Sequence, residues 1–290
     1  MFRVKGLKMQ YTIHNDTLSC KVDSLGGELV SVVKGGKERV WQNQTGEWAG
    51  HGPLLFPVCG HCGVKVDGVE YPISAHGFAK KMQFSLVKKT ETEVVLAIEA
   101  NEETKKVYPF DFRFEVSYVL KENVLFIGYR VSNPAEKPLY FACGGHESFA
   151  LDSGVENYEI AFEKQENLVH YFHDEDGYMT GERKAYGTLQ TLPLPEDFLQ
   201  EGRTLIFKDV LSRKVWLCER GGKKLATITF DGFENLLVWH AGTAPFICIE
   251  PWTNLPDPAG KTDVEFSTKA GVIEVAGKAE KTLVRTIAYE

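Results

Sequence analysis

Alternation of apolar and polar residues with a period of two is the feature that most constrains how this chain folds. It is clearest over residues 112–118, where Phe112, Phe114, Val116 and Tyr118 alternate with charged or polar side chains. A period of two places the apolar side chains on one face of a β-strand. The sequence therefore predicts a half-buried strand at this position.

Further short runs that are rich in β-branched and aromatic residues indicate more strands. They are residues 94–98, 124–131, 139–143, 205–207, 215–218, 225–230, 236–240 and 246–250. Turn signals containing glycine, proline and asparagine separate the runs, and the main helical signal is a single predicted turn at 195–199. Strands that follow strands at short intervals predict an all-β fold, a large antiparallel β-sandwich.

The organisation of the chain indicates a single unit. The 290 residues contain no linker-like, low-complexity or repeated segment. We therefore expect one continuous domain over residues 1–290, with residues 1–8 as a loose N-terminal extension. Residues 168–183 are aromatic, acidic and poorly patterned, which predicts a long loop bordering a binding cleft.

Composition argues against several kinds of partner. The net charge is -7 without long blocks of positive charge, whereas binding to a phosphate backbone favours basic stripes. No apolar stretch reaches the length that spans a bilayer, and the N-terminal residues lack the apolar centre of a secretion signal. We expect a cytoplasmic monomer or homodimer that binds neither nucleic acid nor membrane.

One cysteine spacing resembles a metal site. Cys59 and Cys62 form a CxxC motif, with His51 upstream and His76 downstream. A zinc site there is a weak alternative, because a single CxxC lacks a second matched pair. Most of the remaining cysteines lie in apolar runs and are expected to be buried thiols in a reducing compartment. We expect no metal.

The most unusual charged residue is Glu250, at the end of an apolar run. A strand over residues 246–250 places Phe246, Cys248 and Glu250 on one face. A carboxylate in such a position costs free energy unless it is paired or functional. A salt bridge at the strand end is the ordinary alternative. The neighbouring Trp252 favours a binding role, because a ring beside a carboxylate often holds a small polar ligand.

Two histidines lie beside glycines and are candidates for chemistry with Glu250. Gly144 and Gly145 precede His146, and they are expected to let the backbone bend and bring the imidazole towards a ligand. For His146 and for His76, a loop histidine bonded to the backbone is the plain alternative. These residues do not share ligand spacing on one element, which disfavours a metal triad. Without a nucleophile elbow or a phosphate-binding loop, general acid–base catalysis by a His/Glu pair remains.

Motifs along nearly the whole chain resemble those of one family. Residues 75–80 resemble "HGFAR", residues 144–149 resemble "GGHPAF", and residues 248–252 match "CIEPW". Residues 25–29, 40–42, 54–60, 207–213 and 266–271 are similar to further segments in the same order. The ordered set resembles the aldose 1-epimerase (galactose mutarotase) family, in particular its LacX-like branch.

The resemblance implies a fold and a reaction. The fold is the galactose mutarotase-like supersandwich, and its concave face binds a sugar. Glu250 matches the general base that takes the proton of the C1 hydroxyl, and His146 matches the general acid that protonates the ring oxygen; no cofactor is needed. For this task we expect a carboxyl group with a somewhat raised pKa and an imidazolium near pH 7.

The resemblance also implies residues that bind the sugar. His76 matches a histidine that binds near the ring oxygen, and Trp252 is expected to pack on the apolar side of the ring. Asp209 is a candidate hydroxyl-binding acid, with a turn cap as an equal alternative. His61 and Lys80 stand where relatives carry arginine. Neither side chain reproduces the guanidinium fork, so we expect an altered substrate preference.

Three functions follow as alternatives, each with a small-molecule sugar as the partner. The first is an aldose 1-epimerase that interconverts the anomers of a hexose. The second is a sugar-binding or sugar-sensing module on the same scaffold without catalysis. The third is a hexose-6-phosphate 1-epimerase, which Lys80 suggests.

Overall fold

Antiparallel β-strands make up most of the computed structural model, which describes residues 8–195, 204–260 and 264–290. The strands are β1 (Gln10–His14), β2 (Leu18–Asp23), β3 (Leu29–Lys34), β4 (Lys37–Glu38), β5 (Val64–Val66), β6 (Val69–Tyr71), β7 (Ser85–Lys89), β8 (Glu93–Glu99), β9 (Arg113–Lys121), β10 (Val124–Ser132), β11 (Leu139–Phe141), β12 (Ser148–Ala150), β13 (Tyr158–His173), β14 (Met179–Pro193), β15 (Thr204–Phe207), β16 (Lys214–Glu219), β17 (Lys224–Thr229), β18 (Asn235–Trp239), β19 (Phe246–Trp252), β20 (Ile273–Val275) and β21 (Glu280–Tyr289). Helix α1 (Glu102–Lys105) and three short 3-10 helices at Ala79–Lys81, Val155–Asn157 and Phe266–Thr268 interrupt them.

A sheet of 13 strands forms the body of the molecule. Its order is β12-β19-β18-β15-β13-β16-β17-β21-β10-β9-β8-β7, with β14 paired to β13. A second sheet of four strands, β1-β2-β3-β4, packs against it, and one apolar cluster contains residues of both sheets. The all-β expectation and the large antiparallel sandwich are confirmed.

The period of two that marked residues 112–118 is present in β9. Phe114, Val116 and Tyr118 are buried and point into the core between the sheets. Tyr118 also donates a hydrogen bond from its hydroxyl group to the carbonyl oxygen of Gly27, 2.7 Å away. The alternation reports burial of one face, as expected for an antiparallel sheet that packs on one side.

The predicted loop over residues 168–183 is wrong, because most of it belongs to a long β-hairpin. Strand β13 runs to His173 and β14 starts at Met179, so the turn is short. Register shifts interrupt their pairing at several points, and within the large sheet the described partner strand of β14 is β13. Bulges break the alternation of side chains, and an exposed strand needs few apolar residues, so this segment lacks the period of two that marks a half-buried strand.

Two expectations fall wholly or largely on parts of the chain outside the described residues. The helical turn predicted at 195–199 lies there except for its first residue, and the N-terminal extension lies there except for Lys8. Lys8 forms an ion pair with Asp23, with Nζ 2.5 Å from Oδ2. Within the described parts of the chain, no helix has the length and apolarity required to cross a bilayer.

Candidate active site

The pairing of β12 with β19 brings His146 next to Glu250, although about a hundred residues separate them in sequence. Ser148 lies opposite Cys248 in this antiparallel ladder. Continuing the same register by two residues towards the start of β12 places His146 opposite Glu250. The imidazole Nε2 lies 3.4 Å from the carboxyl Oε1. The structure thus brings together the two residues that were predicted to carry the chemistry.

Glu250 is buried at the end of β19, with 2% of its side chain exposed. Its Oε2 atom makes no hydrogen bond within the described residues. Burial, and then the negative charge of Glu147, raise the pKa of the Glu250 carboxyl well above its ordinary value. The carboxyl group is therefore held in an environment that favours its protonated form.

Aromatic rings hold the imidazole of His146 in place. The ring of Trp48 stacks on it at 5.2 Å with an interplanar angle of 25°, and the ring of Trp239 meets it edge-on at 5.4 Å. Its Nδ1 atom has no hydrogen-bond partner in the described part of the chain. Burial lowers the pKa of His146 to about 4. This lowered pKa contradicts the expectation of an imidazolium near pH 7, and its main cause is the burial of the side chain among the surrounding rings.

Close packing explains the two glycines before His146. A Cβ atom on Gly145 would lie 2.4 Å from Cζ of Arg285, and one on Gly144 would lie 2.7 Å from the Trp252 ring. Neither glycine has a positive φ. The expected sharp bend is therefore not the reason for these glycines. They leave room for side chains from β19 and β21.

A buried ion pair lies beneath this segment. Arg285 donates from Nη2 to Oε1 of Glu147 and from Nε to the hydroxyl oxygen of Tyr129, 2.8 Å away. Both charged side chains are shielded from solvent, with exposures of 0% and 1%. Glu147 thus points into the core, while its neighbour His146 points into the cavity.

His76 approaches the pair from a tight turn. It has a φ of 62°, and a Cβ atom on the following Gly77 would lie 2.1 Å from the carbonyl oxygen of Phe56. The backbone N–H of Gly60 donates to Nδ1 of His76 over 3.1 Å. Because Nδ1 accepts this bond, the neutral imidazole carries its proton on Nε2. Burial, with the charge of Lys80 next in effect, lowers the pKa of His76 well below its ordinary value.

These side chains line a cavity of about 530 Å³. That volume falls within the range of about 300–1,000 Å³ that is common for small-molecule sites. Of the residues predicted for the site, the cavity contains His61, His76, Lys80, His146, Glu250 and Trp252. These six predicted residues therefore surround one space.

The cavity has a cationic side. Lys80 and Lys81 lie on a 3-10 helix, and both line the cavity. Burial, followed by the charge of Lys81, lowers the pKa of Lys80 to about 8. His61 lies at the cavity next to Tyr178, with ring centroids 5.1 Å apart. Lys80 is thus a partly desolvated cation whose charge is present at neutral pH.

The structure does not bring Asp209 into this cavity. Its backbone has a φ of 51°, and its side chain is 71% exposed with Oδ2 3.5 Å from Nζ of Lys208. It lines a second cavity instead, together with Tyr171 and Met179. The left-handed turn conformation, which aspartate tolerates, agrees with the turn alternative.

Several cavity residues were missed from the sequence. They are Glu28, Trp48, Lys81, His173 and Trp239. Glu28 accepts hydrogen bonds from the backbone N–H groups of His51 and Gly52 at 2.7 and 3.0 Å. Trp239 lies in the strand predicted over residues 236–240, which pairs with β19. Trp48 lies in a segment without periodicity, and nothing in its surroundings indicated a role.

The donor atoms suited to a metal are not those of the CxxC motif. The Cys59 side chain belongs to a small apolar cluster with Leu55, and the Cys62 side chain belongs to the main core. Burial raises the pKa of both thiols, that of Cys62 to about 12. Within the described residues, the group of three that is close enough for a metal ion consists of His146, Cys248 and Glu250, with ligand atoms within 4.8 Å of one another.

Comparison with known proteins gives a consistent result. The model of the family described as "Aldose 1-epimerase" matches residues 9–257. The chromosomal protein LacX of Lactococcus lactis subsp. lactis is 30% identical over 266 residues, covering 85% of this chain and 88% of LacX. A galactose mutarotase-like protein from Lactobacillus casei ATCC 334 superposes with a TM-score of 0.88 at 28% identity, covering 97% of this chain and 100% of that one. A galactose mutarotase related enzyme from Lactobacillus acidophilus gives a TM-score of 0.86 at 25% identity, with 97% of each chain covered.

Proposed function

The chain belongs to the aldose 1-epimerase family, and from this premise we propose that it interconverts the α and β anomers of a hexose without a cofactor. The observation that carries the proposal is the contact between the His146 imidazole and the Glu250 carboxyl at 3.4 Å, at the wall of a sugar-sized cavity. A donor and an acceptor of protons at this spacing can serve two oxygens of one hemiacetal.

The proposed reaction moves two protons. Glu250 takes the proton of the C1 hydroxyl while the ring oxygen receives a proton from His146, and the bond between C1 and the ring oxygen breaks. Rotation about the C1–C2 bond exposes the other face of the aldehyde. Closure reverses both proton transfers and gives the other anomer, so the enzyme groups end in their starting states.

The pKa shifts of His146 and Glu250 fit this scheme when the pair is considered as a unit. Burial lowers the pKa of His146 to about 4 and raises that of Glu250, so both shifts favour holding a proton on the carboxyl group rather than on the imidazole. A bound sugar hydroxyl that donates to Glu250 stabilises the carboxylate and favours transfer of that proton to the nearby Nε2. One donor and one acceptor are then available to the substrate.

The remaining cavity residues supply binding and orientation. His76 presents a proton on Nε2, which can donate to the ring oxygen or to a neighbouring hydroxyl group. Trp48 and Trp239 provide half-buried rings beside His146 for the apolar face of the sugar. The Trp48 ring also stabilises the imidazolium that forms during turnover, because a cation over an indole face is favoured.

The proposal is tested by polarimetry on freshly dissolved anomers of several aldoses, with an anomer-specific dehydrogenase as a second readout. We expect the wild-type protein to accelerate mutarotation of at least one free hexose. His146→Asn is expected to lower the rate by about 10²–10⁴-fold, the usual contribution of a positioned acid or base.

A rate no faster than buffer across the panel would overturn the catalytic proposal. Saturable heat of sugar binding in the same samples would then favour the binding-module alternative.

A second candidate is an epimerase of sugar phosphates, which the cationic side of the cavity favours. Lys80 and Lys81 line the cavity, and their positive charges support binding of an anionic substituent of the sugar. Lys80→Met should raise KM for glucose 6-phosphate by about 10-fold or more, since a hydrogen bond to a charged group contributes about 1.5–3 kcal/mol. KM for glucose should stay nearly constant, which makes glucose the internal control.

This candidate also predicts a dependence on pH. The pKa of Lys80 is lowered to about 8, so its charge is present at pH 7 and is lost as the pH rises to 9. The preference for glucose 6-phosphate over glucose should therefore decline over that interval in the wild type and be flat in Lys80→Met. Equal KM values for the two sugars at pH 7 would remove the sugar-phosphate candidate.

A further inference from the structure

We propose that His146, Cys248 and Glu250 form a binding site for a single Zn²⁺ ion or a similar soft divalent cation, and that this ion competes with the sugar. The competition rests on the function proposed above, whereas the metal site itself does not. Such an ion would act as an inhibitor that occupies the two groups assigned to proton transfer.

The sheet places the three donors on one side of the same ladder. Cys248 and Glu250 are two residues apart on β19, and side chains at this spacing point to the same face of a strand. His146 precedes β12 by two residues and reaches that face opposite Glu250, in the register that the Gly144–Trp252 bridge continues. The facial triad considered from the sequence used both histidines with Glu250, so it overlooked the thiol of Cys248, which lies on the same face of β19 as Glu250.

The distances suit a tetrahedral ion. Bond lengths of about 2.0–2.3 Å to nitrogen, oxygen and sulfur place neighbouring ligand atoms about 3.3–3.6 Å apart. Nε2 of His146 and Oε1 of Glu250 are 3.4 Å apart, and the donor atoms of the three residues lie within 4.8 Å of one another. The widest separation among the three donor atoms has to shorten by up to about 1 Å to complete three positions of the tetrahedron.

The carboxyl group has a free position for the ion. Oε2 of Glu250 makes no hydrogen bond in the described parts of the chain, although only 2% of the side chain is exposed. His146 and Glu250 both line the cavity, so a water molecule can reach the proposed ion as its fourth ligand. Three protein ligands and one open position are typical of accessible zinc sites.

The local charges also balance. Cys248 binds as a thiolate, and its proton passes to the buffer, as does the proton of the Glu250 carboxyl group. The thiolate and the carboxylate together cancel the charge of the divalent ion, so no net charge is buried among them. The nearby Glu147 is already paired with Arg285, and it is not needed for neutrality.

The donor set selects the kind of metal. A thiolate and an imidazole favour Zn²⁺ and related soft ions, whereas Mg²⁺ and Ca²⁺ prefer oxygen ligands alone. The site therefore predicts discrimination between these ions without further assumptions. Lys80 and Lys81 on the same cavity weaken the attraction of any cation, which argues for a reversible ligand rather than a permanent one.

The test is isothermal titration calorimetry with ZnCl₂ and with MgCl₂ on metal-free protein at pH 7.5. We expect one Zn²⁺ per chain and no Mg²⁺. Cys248→Ser should weaken Zn²⁺ binding by at least about 100-fold. Loss of a residue that only hydrogen-bonds to a metal ligand already weakens metal binding by about 10- to 100-fold. The matched control is Cys218→Ser, which removes a buried thiol on another strand and should bind Zn²⁺ like the wild type.

Cd²⁺ supplies a readout that needs no enzyme activity. Its thiolate charge-transfer absorption should appear at one equivalent in the wild type and in Cys218→Ser, and should be lost in Cys248→Ser. Zn²⁺ should also slow mutarotation, reversibly on adding a chelator, with each variant measured against its own metal-free rate. Absence of Zn²⁺ binding in the wild type, or equal affinity in Cys248→Ser, would overturn the proposal. Metal binding without any epimerase activity would instead retain the metal site and reject the function.

Discussion

Replacing Glu250 by glutamine is expected to reduce the rate of mutarotation by about 10²–10⁴-fold, because the amide cannot accept the proton of the C1 hydroxyl. The loss should appear mainly in kcat, since glutamine has nearly the same shape and can still accept a hydrogen bond from the sugar. Polarimetry over a range of sugar concentrations measures both parameters.

The same substitution should leave the fold intact. Glu250 is buried, and burial disfavours its charged form, so a neutral amide removes an unfavourable group rather than a stabilising contact. We expect an unfolding temperature at least equal to that of the wild type. Asp209→Asn is the matched control, because that carboxyl group is exposed and lies outside the cavity, and its rate should match the wild type. Wild-type activity in Glu250→Gln would contradict the assigned role.

The second large effect is expected on stability. Arg285→Met should lower the free energy of unfolding by about 3–5 kcal/mol, because it leaves the buried charge of Glu147 without its partner. The variant also leaves the hydroxyl group of Tyr129 without its donor from Arg285. Urea unfolding monitored by tryptophan fluorescence measures the change.

A double-mutant cycle separates the ion pair from the loss of packing. Glu147→Gln alone should also destabilise the protein, since it leaves Arg285 charged and unpaired. The double variant Glu147→Gln with Arg285→Met should be less destabilised than the sum of the two single variants. Additive effects would show that the two charges do not stabilise each other.

Much of the fold could be predicted because alternation reports burial directly. In β9, each second residue from Phe114 is buried, as the pattern indicated. In β19, the expected face of Phe246 and Cys248 forms one apolar cluster, while Ile247 and Ile249 belong to the main core. Strands whose two faces have different surroundings carry this signal, but not all of them were predicted. Strand β21 alternates between buried and more exposed residues along its second half, and the sequence analysis did not predict it.

The signal fails where the two faces of a strand have similar surroundings. Strand β14 is exposed along most of its length, so its side chains carry no preference that distinguishes a strand from a loop. The site shows a related limit. Motifs identified His146 and Glu250, but the loop that carries Trp48 meets them only in three dimensions, and Asp209 fell outside the cavity despite its place in a similar motif.

The pairing of β12 with β19 has a consequence for how this protein can change over evolution. Because His146 and Glu250 face each other across one ladder, inserting or deleting a single residue in either strand would turn one of the two side chains towards the opposite side of the sheet. Length variation is therefore tolerable in the connecting segments and forbidden within the two strands. The spacing from His146 to Ser148 and the spacing from Cys248 to Glu250 have to remain fixed. Other residues that line the cavity can be substituted without changing this register.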